Sequence, residues 1–276
     1  MRIVQTWPAA TEGYDGPLPL AADRVDCWFV SLATFPADAE GPAVAILSED
    51  EGKRATRFHF ERQRQCYIRS HAALRLLLAR YLMTAPDSIA IVADAFGRPM
   101  LAAPAGDLEF NLSHSGDAAL VGVSLRSPLG VDIELVRDVP DFLAIAERHF
   151  APSEVEDLLR LAPERRCGGF YVTWTRKEAF VKALGLGLSF PLDAFCTGRQ
   201  DRPPHLTQTG GAVCADWTIA DLAPLQGYKA AVAVRQPNVE FHCREVSWPW
   251  LFEGRRNTTS NYCNSVESHD GTKNQN

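Results

Sequence analysis

The sequence predicts an α+β protein, a pseudo-dimer of two similar halves. Two observations point there. Helical periodicity followed by a run of short strand-like segments occurs twice along the chain. The stretch "GYKAAVAV" (227–234) also echoes "GDAALVGV" (116–123), a short internal repeat at matching places in the two runs. With 276 residues and 46% hydrophobic composition, the chain has ample material for a core.

The elements follow in order. "VDCWFVSLA" (25–33), rich in β-branched and aromatic residues, reads as the first strand. "LSEDEGKRATRFHF" opens a helix, because Ser48 with Glu51 three residues on is a capping box and acids crowd the first turn. That helix is expected to run on to about Met83. Asp94 to Gly97 signals a turn, and "EFNLSH", "AALVGVSL" and "LGVDIELV" then read as a meander of strands. In the second half, "PDFLAIAERHF" and the long segment from Pro152 to Gly185 are helical, with Gly185 as C-cap. "FCTG", "DWTIADL" and "GYKAAVAV" supply the later strands. The expected organisation is one half over 1–136, a second over 137–250, and a polar, disordered tail over 251–276.

Composition excludes several classes. A net charge of −6 argues against nucleic-acid and membrane-surface binding, and no apolar run approaches the ~20 residues of a membrane span. The N-terminus lacks the apolar core of a signal peptide, and the seven scattered cysteines form no CxxC pair. A soluble, cytoplasmic, reduced monomer is expected.

Three features bear on chemistry. In "GVDIE", Asp132 and Glu134 lie two apart in a strand, so both carboxylates share one face while Val131 and Ile133 turn inward. Such a pair is either a hard-metal site or an ordinary solvent-facing edge. In "WTRKEAFVKALG", Trp174, Glu178 and Lys182 recur every four residues along one helix face. A surface ion pair is the plain reading, yet the apolar flanks are those of a buried helix. In "FNLSHSGD", Ser113, His114 and Ser115 enter a glycine turn that could hold phosphate oxygens, or the histidine could be structural. Residues 53–80 add eight Lys/Arg against one carboxylate, Glu61. Together these suit phosphoryl-group chemistry, in which positioning and charge neutralisation do most of the catalysis.

Taken in order, "GRP", "FNLSHSG", "GVDIE" and "WTRKEAFVKALGLGLSFPLDAF" resemble the 4′-phosphopantetheinyl transferases of the Sfp type. The resemblance runs from about residue 54 to 234. It implies transfer of the phosphopantetheine arm of coenzyme A to a serine of an apo acyl or peptidyl carrier protein, releasing adenosine 3′,5′-bisphosphate. It implies two α+β halves with the active site in the cleft between them. Magnesium, with manganese as the alternative, would be held by Asp132, Glu134 and Glu178. Glu178 or a metal-bound water would be the base, and Lys182 would meet the pyrophosphate. Ser113 and His114 would hold coenzyme A phosphates, and Arg98 with Pro99 would lie along the adenine. Arg54, Arg57 and Arg64 are candidates for the 3′-phosphate, since Cys66 stands where some relatives carry arginine. The other readings are a magnesium-dependent nucleotide or coenzyme A hydrolase, and a non-catalytic coenzyme A or carrier-protein binding module.

Overall fold

Why the first long helix ends early is visible in one glutamate. Ser48 caps a short helix α2 (Glu49–Ala55): its hydroxyl accepts from Glu51 N at 3.2 Å, and Glu51 accepts from Ser48 N at 2.8 Å. Glu51 also meets His71 Nδ1 at 2.9 Å and Arg75 Nε at 2.6 Å, on helix α3 (Glu61–Leu82). One continuous helix would carry residues 51 and 75 about 36 Å apart, at about 1.5 Å per residue. The expected single helix over 48–83 is therefore two, broken at residues 56–60, and the second folds back on the first.

The computed structural model describes residues 2–6, 18–103, 106–187, 190–208, 214–223 and 225–253. Contacts divide these residues into two compact units. The smaller takes in residues 34–89 and those from 246 onward, including α1 (Glu40–Ala45), α2 and α3. Its centre is the apolar face of α3, Leu74, Leu76, Leu77 and Leu78, with Trp248 and Leu251 also buried. Residues 248–253 are helical, and the rest of the expected tail, 254–276, lies outside the described residues.

The larger unit, which includes residues 20–33 and 90–245, carries two main sheets. The first has the order β1 (Arg2–Thr6), β12 (Glu240–Val246), β2 (Arg24–Ser31), β6 (Ala118–Leu125), β5 (Leu108–Ser115). The second has the order β10 (Thr218–Leu222), β11 (Tyr228–Val234), β7 (Leu129–Leu135). The echoing stretches thus form β6 and β11, each flanked by a strand on either side. A small hairpin, β3 (Ile91–Ala93) with β4 (Pro99–Leu101), turns through Asp94 to Gly97, as expected. A short β8 (Phe195–Cys196) pairs with β9 (Thr207–Gln208).

The meander differs from expectation in one respect. β5 and β6 form the antiparallel hairpin, but β7 leaves their sheet and pairs antiparallel with β11, Asp132 opposite Ala231 and Glu134 opposite Lys229. Val131 and Ile133 then enter a core shared by both sheets, with Val25, Phe29, Leu120, Val232 and Phe241. The opposite face of β7 and β11 is covered by helix α6 (Pro163–Leu184), preceded by α4 (Phe142–His149) and α5 (Pro152–Arg160). Ala179 and Ala183 of α6 face Ala231 and Ala233, small residues that allow close approach. Gly130 is required there: a Cβ on it would fall 2.1 Å from the Ala179 carbonyl oxygen and 2.5 Å from Ala183 N. The α+β class with two related sheet-and-helix portions is what the sequence predicts.

Candidate active site

The site starts from an unusual junction between β5 and β7. Asn111, Ser113 and Ser115, alternate residues of β5, each accept a backbone N–H of β7 where a neighbouring strand's carbonyl would ordinarily stand. Asn111 Oδ1 accepts from Val131 N at 3.0 Å, Ser113 Oγ from Ile133 N at 3.3 Å, and Ser115 Oγ from Leu135 N at 3.2 Å. The same hydroxyls donate to the acids of β7: Ser113 to Asp132 Oδ1 at 2.9 Å and Ser115 to Glu134 Oε2 at 2.6 Å. Asp132 is almost fully buried, at 3% exposure, and Glu134 half-buried.

Helix α6 brings the remaining charges. Lys182 Nζ donates to Asp132 Oδ1 at 2.5 Å, to Ser113 Oγ at 3.1 Å and to the Val131 carbonyl at 3.3 Å. Glu178, one turn earlier, is half-buried. Burial raises its pKa, the Asp132 and Glu134 charges raise it further, and Lys182 opposes them. Glu134 is likewise pushed up by burial and by Asp132, against the Ser115 hydrogen bond and the Lys182 charge. The three carboxylates therefore feel one another's fields.

The plain alternative, a Glu178–Lys182 surface pair, does not describe these contacts. Lys182 is paired with Asp132 on another element, fifty residues away in sequence. Trp174, by contrast, turns out to pack in an aromatic cluster with Phe150 and Phe170, at 6.5 and 5.7 Å between ring centroids.

Two buried cations that sequence reading missed hold α6 in place, each in an ion pair. Lys177, fully buried, donates to Leu192 O, Phe195 O and Glu154 Oε2 at 2.6, 2.7 and 2.7 Å. Arg176, also fully buried, grips Asp221 through Nε at 2.7 Å and through NH2 at 2.6 Å. Nothing in a single sequence distinguishes these cations from Lys182. The signal for Asn111 and Ser113 was legible: polar residues at alternate positions of a strand, with Phe110 and Leu112 between and beside them.

The other predicted residues are distributed as follows. His114 is exposed, and strand alternation turns it away from the side of Ser113 and Ser115. Arg98 and Pro99 line a cavity of about 230 Å³ together with Phe96, Asn111 and Lys182. Arg98 is paired with Glu109 at 2.9 Å, and its Nε is buried without a partner. Arg54, Arg57 and Arg64 belong to the smaller unit. There Arg64 is paired with Glu61 at 2.7 Å, Arg54 lies 5.7 Å from the Tyr67 ring centroid, and Arg57 is exposed.

Whether the donors suit a cation can be asked of the atoms themselves. Asp132 Oδ2 is buried with no hydrogen-bond partner, a costly arrangement for an anionic oxygen. Three acids against one ammonium leave negative charge in excess, and hard carboxylate oxygens suit magnesium or manganese. Among the described residues, no three His, Cys, Asp or Glu side chains are gathered closely enough to form a metal cage as they stand. The donor chemistry fits, with Lys182 acting as the resident counter-charge.

Comparison with known proteins places the chain in a family. The profile of the 4′-phosphopantetheinyl transferase superfamily matches residues 128–233, which contain Asp132, Glu134, Glu178 and Lys182. A second profile, 4′-phosphopantetheinyl transferase, N-terminal, matches residues 37–125. The chain is 34% identical over 220 residues to the 4′-phosphopantetheinyl transferase HetI of Nostoc, covering 79% of this chain and 90% of that protein. It is 30% identical over 152 residues to the 4′-phosphopantetheinyl transferase Sfp of Bacillus subtilis, covering 55% of this chain and 66% of that one. It is 27% identical over 235 residues to the mouse L-aminoadipate-semialdehyde dehydrogenase-phosphopantetheinyl transferase, covering 78% and 76%. The chain belongs to the 4′-phosphopantetheinyl transferase superfamily.

Proposed function

We propose that this enzyme transfers the 4′-phosphopantetheine arm of coenzyme A to a serine of an apo acyl or peptidyl carrier protein. The serine Oγ forms a bond to the β-phosphorus of the pyrophosphate, the bond from that phosphorus to the bridging oxygen breaks, and adenosine 3′,5′-bisphosphate leaves. The observation that carries the reading is the grouping of Asp132, Glu134, Glu178 and Lys182 on facing elements within the matched region.

Asp132, Glu134 and Glu178 would hold magnesium, or manganese in its place. Such an ion, when bound, neutralises pyrophosphate charge so that an uncharged hydroxyl can approach. Glu178 has a raised pKa and suits acceptance of the serine proton. Lys182 lines the same cavity as Arg98 and Pro99, so it can meet the pyrophosphate while those two flank the adenine. His114, exposed at the end of β5, would take a coenzyme A phosphate. For the 3′-phosphate, Arg57 and Arg54 remain the candidates over Arg64, whose guanidinium is already committed to Glu61. None of the six described cysteines is in a disulfide, and no described helix is long and apolar enough to cross a membrane.

The test is incubation with coenzyme A, magnesium and a panel of apo carrier proteins, read by intact mass. A phosphopantetheine adduct that disappears in excess EDTA is expected. No adduct on any carrier, with phosphopantetheine or a nucleotide released instead, would make the enzyme a hydrolase. An adduct undiminished by EDTA would remove the metal.

A further inference from the structure

We infer that a cavity of about 260 Å³, with Arg165 and Lys229 on its walls, receives an acidic segment of the carrier protein near the reacting serine. The inference rests on the transferase reading above and names the surface that holds the acceptor. Strand register places the cavity. Lys229 stands directly opposite Glu134, and Ala231 opposite Asp132, so Lys229 lies on the sheet face that carries the acids. On α6, Arg165, Gly168, Gly169 and Val172 follow the i, i+3, i+4, i+7 spacing of one face, which continues to Ala179 and Ala183. That face packs closely on Ala231 and Ala233 at one end and opens into the cavity at the other.

Two features of the walls do nothing for packing. Among the described residues, neither the Arg165 nor the Lys229 side chain meets a carboxylate. Asp201, also at the cavity, is committed to Arg199 at 2.9 and 3.0 Å, so the two cations keep no counter-charge. Gly168 is the second feature. Glycine weakens a helix interior, yet a Cβ on Gly168 would meet nothing within 4 Å, so no neighbour demands it. Gly169 is different, because its Cβ would fall 2.6 Å from Leu161 Cδ1 and 3.0 Å from Leu158 Cδ1. Gly169 serves the packing of α5 on α6, and Gly168 leaves space.

The reaction itself supplies the direction. In phosphoryl transfer the attacking and leaving oxygens stand roughly in line. The leaving bisphosphate is assigned to the cavity of Arg98, Pro99 and Lys182, at the 182–187 end of α6. The acceptor then approaches from the other end, where Val172 and Gly168 lie about 9 and 15 Å before Glu178, at about 1.5 Å per residue. A carboxylate that far from the acceptor serine reaches the uncommitted cations while the serine reaches Glu178. The chain as a whole carries a net charge of −6 and repels an acidic partner, so a local pair of cations gives that partner one favoured place to land.

The experiment compares the full-length parent, the double variant Arg165→Gln with Lys229→Gln, and Gly168→Gln, using an apo carrier protein that the parent modifies. Initial rates are taken against carrier at saturating coenzyme A and against coenzyme A at saturating carrier, at low and high salt, beside a thermal melt. At low salt the double variant should raise the carrier KM by roughly fivefold, the upper range for exposed charge pairs. Its kcat and coenzyme A KM should stay within about twofold of the parent's, since only carrier binding is touched. It should also lose most of the salt dependence that the parent's carrier KM shows. Gly168→Gln should fill the cavity, raise the carrier KM likewise and melt no earlier than the parent, because the space is open and glutamine is the better helix former. An unchanged carrier KM in either variant overturns the inference, and a raised coenzyme A KM in its place gives the cavity to coenzyme A. A carrier KM that rises only with an earlier melt makes these residues structural and overturns it too. A parent that modifies no carrier defeats the transferase reading itself, whereas a parent and variants that modify carriers alike defeat only the cavity.

Discussion

Glu178 differs from Asp132 and Glu134 in one respect: among the described residues its carboxylate meets no hydrogen-bond donor. It is held by position alone, on a helix whose neighbouring side chains are pinned, with its pKa raised by burial and by the Asp132 charge. A group left uncommitted in a polar site is the one available to take a proton. Glu178→Gln should therefore keep the melting temperature within about 1–2 °C, because no folded-state contact is lost. It should lower kcat with an apo carrier protein by at least ~10²-fold, the lower end of a general base's contribution. Steady-state kinetics beside a thermal melt decides this, and a normal kcat would sink the assignment of Glu178 as base.

At the scale of elements, α6 is a rod clamped by buried ions, and the clamp sets where Glu178 and Lys182 stand. Glu154, at 2% exposure, accepts from Lys177, from Ala151 N and from both Thr197 N and Oγ1. Burial pulls the Lys177 pKa down, and Glu154 is what opposes it. Glu154→Gln would strand a buried ammonium, a loss of about 3 kcal/mol or more in denaturant melts. Adding Lys177→Met to Glu154→Gln should recover a good part of that, since two removed charges cost less than one left alone. A double variant no more stable than the single would mean the helix is held by packing.

The α2–α3 pair carries the fold's clearest acid response. Burial would raise the Glu51 pKa, but His71, Ser48 N and Arg75 outweigh it and bring it to about 2, from 4.5. A carboxylate with a depressed folded pKa stabilises above its unfolded value, and that stability is lost as pH falls through the folded one. The window here runs from about pH 4.5 down to about pH 2. Over it the parent should lose at most about 3.5 kcal/mol from this group, at about 1.4 kcal/mol per pH unit, less what solvent screening of the partly exposed carboxylate removes. Glu51→Gln should be less stable at neutral pH and flatter across that window. Equal slopes in urea melts at successive pH values would show that Glu51 contributes no linkage.

For the whole molecule, the C-terminal boundary matters more than the length of the tail. Trp248 meets Phe35 edge-on at 4.7 Å, and Arg80 lies 3.6 Å over the Trp250 ring while donating to the Trp250 carbonyl. Leu251 is fully buried. Removing residues 253–276, which have little apolar content to dock, should leave both activity and melting temperature nearly unchanged. Removing everything from residue 247 should cost several kcal/mol, since each buried large side chain is worth ~1.5–3 kcal/mol. Differential scanning calorimetry of the two truncations separates these outcomes. A large loss from the shorter cut would mean the polar tail is docked.

The sequence by itself determined the α+β class, the capped start of α2, the strand carrying Asp132 and Glu134 on one face, and the helix carrying Glu178 and Lys182. These follow from local chemistry: period-two and period-3.6 patterns, and a serine three residues before a glutamate. The family resemblance added which of those residues act together. Tertiary structure alone decided that β7 abandons β6 for β11, because pairing depends on which strand meets which edge, and no residue of β7 announces its partner. It alone showed that Lys177 is buried against Glu154 whereas Lys182, five residues on along the same helix, pairs with Asp132. It alone turned Ser113 towards Asp132, since a hydroxyl bonds whatever the fold places within about 3 Å of it. And it gave Gly130 its reason: α6 can reach the strand of carboxylates only where no Cβ stands between them.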